Sequence, residues 1–129
     1  MDINKIEWSP YPALQPGETE HINCYQKTIM PFADILGMTE DEVKRMGKYF
    51  GGGYRCGGTC GPVNAALMLL GYMYGDDDEA KWLGKEYLIE FANTVGGGSF
   101  LCNDMKDPEK SKCGPAVEFT IDFIKKHRK

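Results

Sequence analysis

The chain lacks any long hydrophobic run. Its most apolar stretch, residues 62–74, falls short of the roughly 20 residues that a membrane-spanning helix requires, so no bilayer partner is expected. It also lacks an excess of positive charge: 15 Lys and Arg stand against 19 Asp and Glu, a net charge of -4. The one basic cluster, residues 125–129, reads as cations complementing the end of a helix dipole, which argues against a nucleic-acid partner. The first 20 residues show no basic segment leading into an apolar one and no twin arginine, and the expectation is a cytoplasmic chain.

Several chemistries are missing as well. No serine triad and no paired carboxylates occur at a workable spacing. The glycine-rich segment 51–58 lacks the Lys-Ser/Thr ending and the preceding strand of a phosphate loop, so hydrolase and kinase chemistry is not indicated. Imidazole is scarce. His21 and His127 are the two histidines, each in a polar setting near a helix end, and both read as structural. Disorder is not indicated either, because hydrophobic residues make up 42% and charged residues 26% of the chain.

No strand-like alternation competes with the helical periodicity, and the predicted fold is an all-α bundle of about five helices in one domain over residues 19–129. Residues 1–18, with Pro10, Pro12 and Pro16, suggest an extended arm. A first helix is expected from about Thr19 to Leu36, kinked near Pro31 and stopped by Gly37. The sequence Thr39-Glu40-Asp41-Glu42 predicts a capping box for the second. The third, from Pro62, is apolar on nearly every side and reads as the central helix. Residues 76–79 read as the acidic start of the fourth, which runs to Val95. Asp107-Pro108 marks a possible local helix start, and a fifth helix opens at Cys113 with Val117, Ile121 and Ile124 facing the core.

What the chain does have is five cysteines, an odd number that cannot all pair within one chain, set among glycine-rich loops. The tripeptide Cys-Gly-Pro occurs twice, at Cys60-Gly61-Pro62 and Cys113-Gly114-Pro115, each before a helical pattern. Each cysteine is thus expected at a helix N-terminus, where free N–H groups and the helix dipole favour a thiolate. Gly61 and Gly114 would let backbone amides approach a bound cofactor.

The pattern of Cys24, the run 50–53, Cys60-Gly61 heading an apolar helix, and late Cys102 and Cys113 resembles the redox-active protein family with a C…CGAxxG…C…C signature. Pro62 and Ala65 stand where that signature has alanine and glycine. The resemblance implies an all-helical fold and a redox-active or metal-binding role, with an iron–sulfur cluster as the suspected cofactor. Its four cysteines correspond to Cys24, Cys60, Cys102 and Cys113, and Cys56 is an addition, an alternative ligand or a resolving thiol. Four thiolates independently suit such a cluster. The expected role is electron transfer or redox sensing with a redox partner protein, and a homodimer is possible; whether the chain is an enzyme stays open. Two alternatives remain: thiol–disulfide exchange by a catalytic Cys56/Cys60 pair, and a structural zinc site.

Overall fold

The computed structural model describes residues 3–5, 16–17, 19–51, 53–105 and 113–128. The arm expected over residues 1–18 therefore falls largely outside the described residues, as does the start proposed at Asp107-Pro108. The described chain is helical, and its only β pairing is an isolated antiparallel bridge between Thr59 and Leu101.

The first helical unit is broken as proline chemistry requires. Helix α1 (Cys24–Ile29) passes into a 3-10 turn (Met30–Phe32) at Pro31, then into α2 (Ala33–Leu36), and Gly37 ends it with a left-handed φ of 65°. It begins at Cys24 rather than Thr19, because the Asn23 side chain supplies the cap that residues further upstream do not. Helix α3 (Glu40–Met46) carries the expected Thr39/Glu42 capping box. Helix α4 (Gly61–Tyr74) is central, with Val63, Ala65, Ala66 and Leu69 essentially inaccessible, although Leu67 and Tyr72 face outward. Asp77 caps a 3-10 turn (Asp78–Ala80), so α5 (Leu83–Thr94) starts later than the acidic run suggested. A short α6 (Cys102–Met105) precedes α7 (Cys113–His127). Among the described residues no helix is long and apolar enough to cross a membrane.

Helices α1, α4 and α7 pack on one another, and α5 closes the bundle against α4 and α7. Phe32, Ile29 and Tyr25 enter this core from the first unit, and Tyr87 and Phe91 from α5. Helix α7 buries Ala116, Thr120, Phe123 and Ile124, so Ile124 lies in the core as predicted and Ile121 packs against it, while Val117 is only partly buried and Ala116 and Thr120 are fully buried instead. The burial of Thr120 has a polar cause. Thr120 is fully buried because its hydroxyl pairs with the Tyr87 hydroxyl at 2.7 Å, so a residue that reads as surface in sequence is satisfied inside.

This pair yields a test by urea denaturation. Tyr87→Phe strands the buried Thr120 hydroxyl and is expected to cost about 1–3 kcal/mol, whereas Tyr87→Phe with Thr120→Val removes both polar groups and recovers much of that loss. Equal losses in the single and double variants would show that the pair is not coupled.

Candidate cysteine site

Two helix starts build the site. At the first, the Asn23 side chain accepts from the Gln26 backbone N–H and the Gln26 side chain accepts from the Asn23 N–H, both at 2.8 Å. The Asn23 Nδ2 also donates to the Gly47 carbonyl at 2.9 Å, which fixes the start of α1 against the end of α3. Cys24 is the first residue of the helix so anchored. At the second start, Cys60 is the N-cap of α4 and Pro62 stands in its first turn.

A single π-helical turn over Gly53–Gly57 leads into Cys60. Its tight path needs the left-handed φ values of Gly53 (60°) and Gly57 (79°), and the Gly58 N–H closes it on the Gly53 carbonyl at 2.8 Å. The turn is then tied to the second glycine loop: the Cys60 N–H donates to the Phe100 carbonyl at 2.8 Å, and the Cys102 N–H to the Gly58 carbonyl at 2.7 Å. These bonds flank the Thr59–Leu101 bridge and bring Cys102 against the turn. A methyl on Gly53 would lie 2.8 Å from Cys102 Cβ, so glycine is what permits this approach.

The helix starts meet in the same manner. A methyl on Gly61 would lie 2.7 Å from Cys24 Sγ and 2.9 Å from the Tyr25 backbone nitrogen. No side chain separates α1 from α4 at this point. Gly114 differs, because it is exposed with open space around its Cα. The two Cys-Gly-Pro repeats are thus alike in starting a helix and unlike in surroundings.

Cys60 is the buried member of the group, at 7% exposure, and Cys24, Cys56, Cys102 and Cys113 are partly exposed and form no disulfide among the described residues. Burial pushes the Cys60 thiol well above its ordinary range, and the charges of Cys24, Cys102 and Cys113 push it further in the same direction. The helix N-terminus does not overcome this. The Val63 amide works to lower the value, but that N–H bonds the Cys60 carbonyl at 3.1 Å, and the Cys60 side chain makes no cap hydrogen bond. The thiolate expected at this helix end is therefore a protonated thiol in the metal-free chain.

Cys24, Cys102 and Cys113 lie near enough for their charges to weigh on Cys60. Among the described residues, however, no three His, Cys, Asp or Glu side chains are gathered into a ready-made metal shell. The Cys56 thiol is turned toward the Gly53 carbonyl, 3.5 Å away within its own turn. His127 stacks on Phe123 at 4.4 Å, about 21 Å along α7 from Cys113 at helical rise, too far to join the thiols.

Three participants lack a strong sequence signal. Tyr87 senses the Cys60 charge from α5, so the Tyr87–Thr120 pair borders the site. Tyr54, whose φ of 60° makes it the one non-glycine with positive φ among the described residues, donates its hydroxyl to Asn64 Oδ1 at 3.1 Å. The Asn64 Nδ2 is buried and has no hydrogen-bond partner among the described residues, and Asn64 could have been noticed from its place one helical turn beyond Cys60.

Against known proteins, the family model described as "Putative redox-active protein (C_GCAxxG_C_C)" matches residues 22–127, most of the chain. No curated protein and no solved structure matches it.

Two outcomes check this geometry. Gly61→Ala drives a methyl into Cys24 and the α1 backbone, and is expected to lower stability by about 1–3 kcal/mol as the helices part; an unchanged urea midpoint would refute the close approach. The pH dependence has a definite sign. Above about pH 8.5 the unfolded chain releases the Cys60 proton while the folded metal-free chain retains it, so stability is full below that pH and falls as pH rises. Urea midpoints measured between about pH 8 and pH 10 should show this fall, and Cys60→Ala should flatten it; an equal slope in the variant would overturn the assignment.

Proposed function

The chain belongs to the C_GCAxxG_C_C redox-active family, and from that premise we propose that Cys24, Cys60, Cys102 and Cys113 hold an iron–sulfur cluster used in electron transfer or redox sensing. The observation that carries the reading is the approach of Cys24 and Cys102, at two glycine contacts, to the end of the bundle where Cys60 is buried, with Cys113 within electrostatic reach. Such a group is unfavourable as four bare anions and favourable once a cationic centre shares their charge. The donor set suits the cluster in number and softness.

The glycine contacts support the same reading. Gly53 and Gly61 let Cys102 and Cys24 come close to the turn and to the start of α4, approaches that a Cβ at either position would block. Loading requires the release of thiol protons, so uptake is favoured as pH rises. Held by Cys24, Cys60, Cys102 and Cys113, such a cluster would supply one-electron transfer between a reduced and an oxidised partner. The chain's own share is to supply the thiols, to surround Cys60 with apolar helix, and to hold the two glycine loops together through the Phe100 and Gly58 carbonyl bonds.

Cys56 stands apart from this role. Exchange by Cys56 and Cys60 needs a Cys60 thiolate near neutral pH, and both burial and the neighbouring thiols disfavour that form.

The test is iron, zinc and acid-labile sulfide per chain, with a visible spectrum, on protein prepared without oxygen. Stoichiometric iron and sulfide are expected, lost in Cys24→Ser, Cys60→Ser, Cys102→Ser and Cys113→Ser but kept in Cys56→Ser. Zinc without sulfide would replace the cluster with a structural metal, and absence of all three after reconstitution would overturn metal binding.

A further inference from the structure

Helix α5 turns Tyr87 and Phe91 into the core and leaves its opposite face exposed. That face carries Trp82 and Ile89, 66% and 50% exposed, which stand about two turns apart in one line along the helix. Together with Lys85 and Glu86 they line an open hollow of about 290 Å³. Local structure gives the tryptophan no task, since Trp82 is the N-cap of α5 and makes no cap hydrogen bond.

The charges beside this line are sorted by sign. At about 100° per residue, Lys85 falls on one side of the line from Trp82 to Ile89, and Glu86 and Glu90 fall on the other. The ammonium groups of Lys81 and Lys85 lie 6.0 Å and 5.8 Å from the centre of the Trp82 ring, which gathers positive charge at the tryptophan. None of these four charged side chains forms an ion pair among the described residues. Lys85 also stands in the first turn of α5, where the helix dipole opposes a cation.

An apolar line with a basic edge and an acidic edge is complementary to itself. When two such helices pack side by side in the same direction about a two-fold axis, the basic edge of each meets the acidic edge of the other. Lys85 of each copy then faces Glu86 of the other, and the Trp82 and Ile89 side chains close the seam between them. Antiparallel packing brings like edges together and sets Lys85 against Lys85, which is repulsive.

We propose that this face of α5 is the interface of a parallel, two-fold homodimer, with Trp82 and Ile89 at its centre and two Lys85–Glu86 pairs across it. A single helix pair buries less than the roughly 1,600 Å² of a standard interface, so the dimer is weak and concentration-dependent.

The test is sedimentation equilibrium of the full-length chain over about 5–500 µM protein, with the thiols kept reduced so that no intermolecular disulfide contributes. Wild type is expected to pass from monomer to dimer within this range. Trp82→Ala should raise the dissociation constant about tenfold or more. Lys85→Glu should do the same, because it places acids opposite one another, and combining it with Glu86→Lys should restore association to within about threefold of wild type. If Trp82→Ala does not fold, the charge-reversed variants decide. A wild type that stays monomeric at the highest concentration would overturn the second copy as the occupant of this face. A dimer untouched by Trp82→Ala would overturn the choice of interface, and a double variant as weak as Lys85→Glu would overturn the parallel pairing.

Discussion

The cysteine end of this molecule depends on α1 and α4 beginning directly against one another. Gly61 makes that possible, because even a methyl there would collide with the Cys24 sulfur and the adjoining backbone. The helices could not meet so closely without firm starts, and each has one: the Asn23–Gln26 box for α1, and Cys60 with Pro62 for α4. From that contact the remaining arrangement follows. Helix α7 packs on both α1 and α4, which carries Cys113 toward the same end, and the paired glycine loops bring Cys102.

The resulting site is poised between two requirements. Burying Cys60 in the core supports the fold, but it disfavours the charged sulfur that metal binding uses. Three neighbouring thiols increase the conflict, because charge on any of them adds to the cost of charge on Cys60. Desolvation and like charge together outweigh the helix dipole here. Position at a helix end is therefore not enough to infer an acidic thiol; the surrounding dielectric and charges decide.

Much of this was legible in the chain. The kink at Pro31, the stop at Gly37, the Thr39 capping box and the helix starts at the Cys-Gly-Pro repeats all rest on local chemistry that acts within a few residues. What sequence periodicity misjudged depended on distant partners. Thr120 reads as polar surface until Tyr87 is beside it, and Gly61 and Gly114 read alike until one is found wedged against Cys24 and the other open. The Cys60 shift was also opposite to the local expectation, because its main cause is burial by residues far away along the chain. Tyr54 carried no signal of its own and Asn64 only its place one turn beyond Cys60, since their pairing depends on a left-handed backbone at a bulky residue.

The order of the elements bears on how such a site comes into being. Cys24 stands near one end of the matched region and Cys113 opens the last helix, so the four thiols are neighbours only after nearly the entire bundle has been synthesised and docked. Contacts of such long sequence separation form late, after the loop-closure cost has been met by the packing of the core. A nascent chain therefore exposes its sulfurs singly, and their gathering belongs to the finished fold rather than to its assembly.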